Sequence, residues 1–252
     1  MQVLDYKEYS SPNNNRTYRI LLYGQPGTGK TTLATFLFPN GKTLLIDTED
    51  GARYLQHDNT DNLSVYSLTS WDDLVAASKT KGEPTFTETV AEYDTIVVDT
   101  MNQIQEYITK SKTMNPTQHF QSDGTLTMKG YGYLKLVVIK FMNILYNSGK
   151  NIVIVAHQQS KDLSKKGDTV KEMIIQPAIA GGAMNEIVAR CDIVGKLSAD
   201  IKQGGKGKKD VVQRYVEISP GNNTFISKDR PGLFKDYGVR ITNEDFIKEL
   251  NK

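Results

Sequence analysis

One cysteine, Cys191, is the whole thiol content of this 252-residue chain, which excludes an internal disulfide and fits a reducing cytoplasm. Three histidines, His57, His119 and His157, are too few and too scattered to form a zinc set. No apolar run approaches the roughly 20 residues of a membrane-spanning helix, so no membrane partner is expected. The opening Met1-Gln2-Val3-Leu4-Asp5-Tyr6 lacks both the basic start and the apolar centre of a secretory signal. Charge of one sign is scarce too: the net is only +2, so the molecule as a whole is no polycation. What remains, 38% apolar and 24% charged residues, describes a soluble globular chain long enough for one large α/β domain with a real core.

Against that background stands Gly24-Gln25-Pro26-Gly27-Thr28-Gly29-Lys30-Thr31, which fits G-x-x-x-x-G-K-[ST] in full. Residues 19–23 before it read as a short buried strand. Residues 32–38 after it read as a helix with Leu33, Phe36 and Leu37 on one face. Glycines let the backbone wrap a triphosphate so that successive N–H groups and the helix N-terminus point at phosphate. Lys30 would reach the β- and γ-phosphates, and the Thr31 hydroxyl would ligate Mg²⁺. Gly24 to Thr31, together with Thr32, are therefore the candidate nucleotide-binding residues, and ATP with Mg²⁺ is the expected ligand. Only seven arginines occur, with no Arg-rich lid to clamp a second nucleotide, which counts against a nucleotide kinase. No N-K-x-D motif occurs, which counts against a GTPase.

Residues 1–16 read as a loose arm, 17–240 as one α/β core and 241–252 as a C-terminal helix. Further strands are expected at 42–47, 62–68, 94–99 and 151–156, with helices at about 101–110 and 131–146. Ser70 to Asp73 caps a short helix. Residues 111–129, rich in Ser, Thr, Asn and Gln, read as a long mobile loop of the functional kind. Beyond 156 the pattern changes to paired strands at 192–197 and 211–219 across a basic Gly-rich tip, with a third at 223–227 and a last helix capped by Thr242. The expectation is an α/β fold whose mainly parallel sheet, flanked by helices, is extended by antiparallel C-terminal strands.

Asp99 ends an apolar strand, from where it can support Mg²⁺ beside Thr31. It is followed by Thr100, so the glutamate that serves as base next to this acid in AAA+ proteins is missing. The strand 44–47 runs into Thr48-Glu49, placing Glu49 at the strand edge where ligands bind; a plain polar turn is the alternative. His157-Gln158 brings polar groups to the same edge. Lys161, Lys165, Lys166 and Lys171 form one basic segment, which is either a solvated loop or an anion-binding one.

Together these residues resemble the RecA-like superfamily of P-loop ATPases, over roughly residues 17–235. The matches are Asp47-Thr48-Glu49, Asp99-Thr100, His157-Gln158, Gly181-Gly182-Ala183-Met184 and Lys228-Asp229-Arg230. Lys129-Gly130-Tyr131-Gly132-Tyr133 and Val155-Ala156-His157-Gln158 are similar to the compact phage branch of Sak-type single-strand annealing ATPases. The resemblance implies Glu49 as catalytic base, Gln158 as γ-phosphate sensor, and Lys228 and Arg230 reaching a neighbouring subunit's site; a surface turn is the alternative for the last two. It also implies single-stranded DNA held by Lys161 to Lys171 and the 111–129 loop, a homo-oligomeric ring or filament, and a single-strand DNA-binding protein as a further partner. The location would be cytoplasmic, in the host if phage-encoded. The competing function is a weakly hydrolysing ATP switch or loader that recruits a replication partner.

Overall fold

Apolar runs that bury both their faces build the sheet, and they sort their side chains alternately into two cores. In β1 (Arg19–Gly24), Leu21 and Tyr23 enter one core while Ile20 and Leu22 enter the other. The computed structural model describes residues 17–55, 61–77, 84–164, 172–180, 182–203, 209–221 and 224–252. The 1–16 arm and the tip at 204–208 lie outside them, as do Lys165, Lys166 and Lys171.

Parallel pairing joins β1 to β2 (Thr43–Asp47), β3 (Leu63–Ser67), β4 (Thr95–Asp99), β5 (Asn151–Asp162) and β7 (Ile193–Lys202) in the spatial order β7-β1-β5-β4-β2-β3. β8 (Val211–Glu217) and β10 (Arg240–Thr242) extend the sheet antiparallel beyond β7. The expected architecture is therefore the one the chain forms. The first core packs α2 (Trp71–Ala77), α3 (Phe86–Ala91), α4 (Met101–Lys110), α6 (Met128–Asn147) and α7 (Ala183–Arg190) against one face. The second packs α1 (Lys30–Thr35) and α8 (Asn243–Leu250) against the other. Phe246 and Leu250 of α8 are buried there and Asn251 donates to the Leu37 carbonyl at 2.8 Å, so the C-terminal helix is part of this core. Among the described residues no helix is long and apolar enough to cross a membrane.

Four expectations need correction. The first helix stops at Thr35, short of residue 38, with Phe36 as its C-cap. Residues 111–127 are an ordered connection containing α5 (Pro116–His119) and a bridge between Phe120 and Leu126. β5 does not end at Ala156. It continues to Asp162 and pairs antiparallel with β6 (Met173–Pro177), because the chain past His157 finds an edge partner instead of turning away. At 223–227 the described residues form only a single bridge, Phe225 to Ile175, before the two-residue β9 (Lys228–Asp229) pairs with the start of β7.

Candidate nucleotide site

Gly24 ends β1 level with Leu197 of β7, and a Cβ on it would come within 2.7 Å of the Leu197 carbonyl oxygen. Only glycine lets the turn start there. Gly27 and Gly29 then take φ of 80° and 85°, the left-handed region that side chains resist. Gln25 and Thr28 hold the turn: the Thr28 hydroxyl donates to the Gln25 carbonyl at 2.9 Å, and so does the Lys30 ammonium at 2.8 Å. Gly29 caps α1 without any side-chain acceptor, so the first-turn amides stay available to an anion. Pro26, Gly27, Gly29, Lys30, Thr31 and Thr32 line an open cleft of about 350 Å³.

Across the cleft the sheet brings its acids to one level, Asp47 opposite Asp99 and Asp99 opposite Val155. The Thr31 hydroxyl donates to the Asp99 carboxylate, which ties the helix after the phosphate loop to β4 although β5 lies between β1 and β4. Burial pushes the Asp99 carboxyl up to about 6; the Thr31 hydrogen bond opposes this, Glu49 and Asp47 add to it, and Lys30 opposes it. Burial lowers the Lys30 ammonium, against the pull of Asp99 and Glu49. A hydroxyl, a buried carboxylate and a buried ammonium on a glycine-shaped cradle are the donor set that Mg²⁺ and a phosphate chain require.

Asp47 accepts from the backbone N–H groups of Glu49, Gly51 and Ala52 at 3.1, 3.2 and 2.8 Å. It therefore shapes the turn that presents Glu49. The Glu49 carboxylate accepts from the Thr100 hydroxyl at 2.8 Å and meets His157 Nε2 at 3.0 Å. His157 is fixed in turn by its backbone N–H, which donates to Asn102 at 2.8 Å. Tyr54 and Leu55 supply the apolar side of the cleft.

His157, not Gln158, lines the cleft. Neighbouring strand residues face opposite ways, and Gln158 stands half-buried opposite Pro177 in the β5–β6 ladder. Lys161 is exposed on the same ladder, past the cleft. Lys228 is half-buried and Arg230 exposed, and both are engaged within their own chain. Lys228 donates to the carbonyls of Val188, Ala189 and Cys191 at 3.0, 2.8 and 2.7 Å. Arg230 pairs with Asp192 at 2.9 Å and donates to Ala189. Both cap the C-terminus of α7, where orphan carbonyls and the helix dipole attract cations. They sit beside the start of β7, the edge opposite the phosphate loop. One cleft residue was missed from the sequence altogether: Arg214 of β8, which lies against Gly29. Only the register of β8 on β7 places it there, and an alternating strand pattern does not reveal a partner nearly two hundred residues away.

A phosphate loop tied to an acid on a separate strand, with a carboxylate held across the cleft, defines a P-loop nucleoside triphosphatase. The chain belongs to the AAA domain family, whose model matches residues 16–231. That family is generally one of ATPases. In this chain Thr100 follows Asp99, and the second carboxylate lining the cleft is Glu49, two residues past the end of β2. Among solved structures the chain is similar to a KaiC-like protein from the hyperthermophilic archaeon Pyrococcus horikoshii OT3, at 14% identity over 79% of this chain and 77% of that one, with a TM-score of 0.41. No curated protein matches.

Proposed function

We propose that the chain hydrolyses Mg²⁺-ATP in this cleft and uses the cycle to act on single-stranded DNA during recombination or annealing, as a homo-oligomer. The observation that carries the first part is the convergence of Lys30, Thr31, Asp99 and Glu49 on one cleft from three elements. Thr31 and Asp99 are the residues that would hold Mg²⁺, whose charge offsets that of the phosphates when bound. Lys30 faces the phosphate chain. Glu49 is the group able to take a proton from an attacking water, and its two hydrogen bonds fix the direction of its carboxylate. With its proton on Nε2, His157 donates to Glu49 and links the base to the β5–β6 ladder beyond it.

The DNA reading rests on the resemblance to annealing ATPases and on where β5 leads. The strand that carries His157 runs on past the cleft to the exposed Lys161, so a change at Glu49 has a direct mechanical route to that ladder. Phosphate contacts from Lys161, and from Lys165, Lys166 and Lys171 beyond it, would give an affinity that falls steeply with salt.

Glu49→Gln is expected to keep ATP binding while lowering turnover by about 10²- to 10⁴-fold. ATPase assays with and without single-stranded DNA, paired with electron microscopy of the same mixtures, test the rest. Stimulation and assembly are the expected results. The engagement of Glu49 by Thr100 and His157 favours one second reading, a slow ATP switch that recruits a replication partner. Turnover that ignores DNA, with no assembly, would select it.

A further inference from the structure

The geometry points to Arg214 as a phosphate-binding residue acting in cis on the nucleotide of its own chain, an inference that rests on the cleft binding ATP. Three independent observations meet at this side chain. The first is register. Gly24 pairs with Leu197, Leu197 with Val216, and Ala199 with Arg214, so Arg214 stands two residues past the end of β1. Two residues along a strand return to the same face, and Val216 of that face packs into the core that holds α1. The Arg214 side chain thus rises over the N-terminus of α1.

The second is the fit against the phosphate loop. A Cβ on Gly29 would come within 2.8 Å of both Cδ and Nε of Arg214, so the stem lies directly on the loop backbone and the guanidinium lines the cleft. Any other residue at position 29 would displace it, apart from the strain of a φ of 85°. The third is that the guanidinium has no ion-pair partner among the described residues. Every other described arginine is engaged: Arg19 with the Tyr146 carbonyl, Arg53 with Asp50, Arg190 with Asn143, Arg230 with Asp192 and Arg240 with Asp200. Among the described residues Arg214 has no carboxylate within ion-pair reach. A planar fork of donors left open beside a loop that cradles phosphate suits a phosphoanhydride oxygen pair better than any other ligand of the cleft.

This gives Arg214 the electrostatic task that sequence resemblance assigned to Lys228 and Arg230. Those two hold the end of α7 at the other edge of the sheet. Arg214 binds the phosphate chain without a neighbouring subunit, so a single chain carries two cations, Lys30 and Arg214, toward one triphosphate.

Titration calorimetry with Mg²⁺-ATP on wild type, Arg214→Ala, Arg214→Lys and Lys30→Ala tests this, with inorganic tripolyphosphate as a competitor. Arg214→Ala is expected to weaken ATP and tripolyphosphate equally, by about 10- to 100-fold, the loss of one charged hydrogen-bonding group. Arg214→Lys should recover part of it, and exposed Lys202→Ala none of the loss. The thermal midpoint of Arg214→Ala should stay at the wild-type value, since no ion pair is removed. Weakened ATP with unchanged tripolyphosphate would assign Arg214 to the nucleoside and overturn the inference. Wild-type affinity in Arg214→Ala, with Lys30→Ala defective, would overturn it while leaving the ATP site in place. If Lys30→Ala and wild type bound ATP alike, the site reading itself would fall, and the inference with it.

Discussion

Asp99 is buried among carboxylates, with Asp47 and Glu49 near it and only Lys30 and the Thr31 hydroxyl to offset them. Its native carboxyl keeps its proton up to about 6, against an ordinary 3.8. Between these values the folded chain binds more protons than the unfolded one, so this group's contribution to stability is present at low pH and is lost as pH rises through about 6. Asp99→Asn removes the titration. It should flatten the difference between urea denaturation at about pH 5 and about pH 7.5, and raise stability at the higher pH by roughly 1–3 kcal/mol while abolishing ATP turnover. A wild-type pH slope in Asp99→Asn would refute that assignment. The residue scale is also where the sequence reading was most exposed to error. The identity of Asp99, Thr31 and Lys30 follows from their motif, because their chemistry is set within a few bonds of the loop. His157 and Gln158 are adjacent in the same motif, yet they face opposite sides of β5, and only the packing of the sheet decides which one sees the cleft.

At the scale of elements, polar composition misled in one place and succeeded in others. Residues 111–127 are rich in Ser, Thr and Asn, and Asn115 and Thr127 among them serve as helix caps. Asn115 accepts from the N–H groups of Thr117 and Gln118, and Thr127 from that of Gly130. His119 stacks on Tyr133 with ring centroids 4.7 Å apart. A Cβ at Gly130 would overlap the His119 carbonyl oxygen, so the first turn of α6 and the end of α5 fit only while residue 130 is glycine. Gly130→Ala is expected to destabilise the chain by about 1–3 kcal/mol and to open residues 111–127 to proteases, since an overpacked contact between backbones has no side chain to give way. Unchanged proteolysis would mean that α5 is not seated on α6. The caps at Ser70 and Thr242 are each visible as a residue type before a periodic run, and each accepts the predicted backbone N–H, while the Thr100 cap on α4 emerges only in the structure.

The whole molecule is a sheet shared by two cores, and β1 feeds both. Leu21→Ala and Leu22→Ala remove neighbouring side chains that belong to opposite faces. Each is expected to cost about 2–5 kcal/mol. Because the two side chains do not touch the same core, their costs should add to within about 0.5 kcal/mol, with a single cooperative transition in denaturant. Two separate transitions would show that the cores unfold independently. The sequence by itself determined the phosphate loop, the buried strands, the helix caps and the acid at the end of β4. All of these arise from interactions within a few residues of one another or from runs apolar enough to demand burial on both faces. The tertiary structure alone decided that Arg214 reaches Gly29, that Lys228 and Arg230 bond the last carbonyls of α7, and that Glu49 meets His157. Those pairs are joined by strand order and register, which are set by the packing of the whole sheet and leave no mark on any local stretch of sequence.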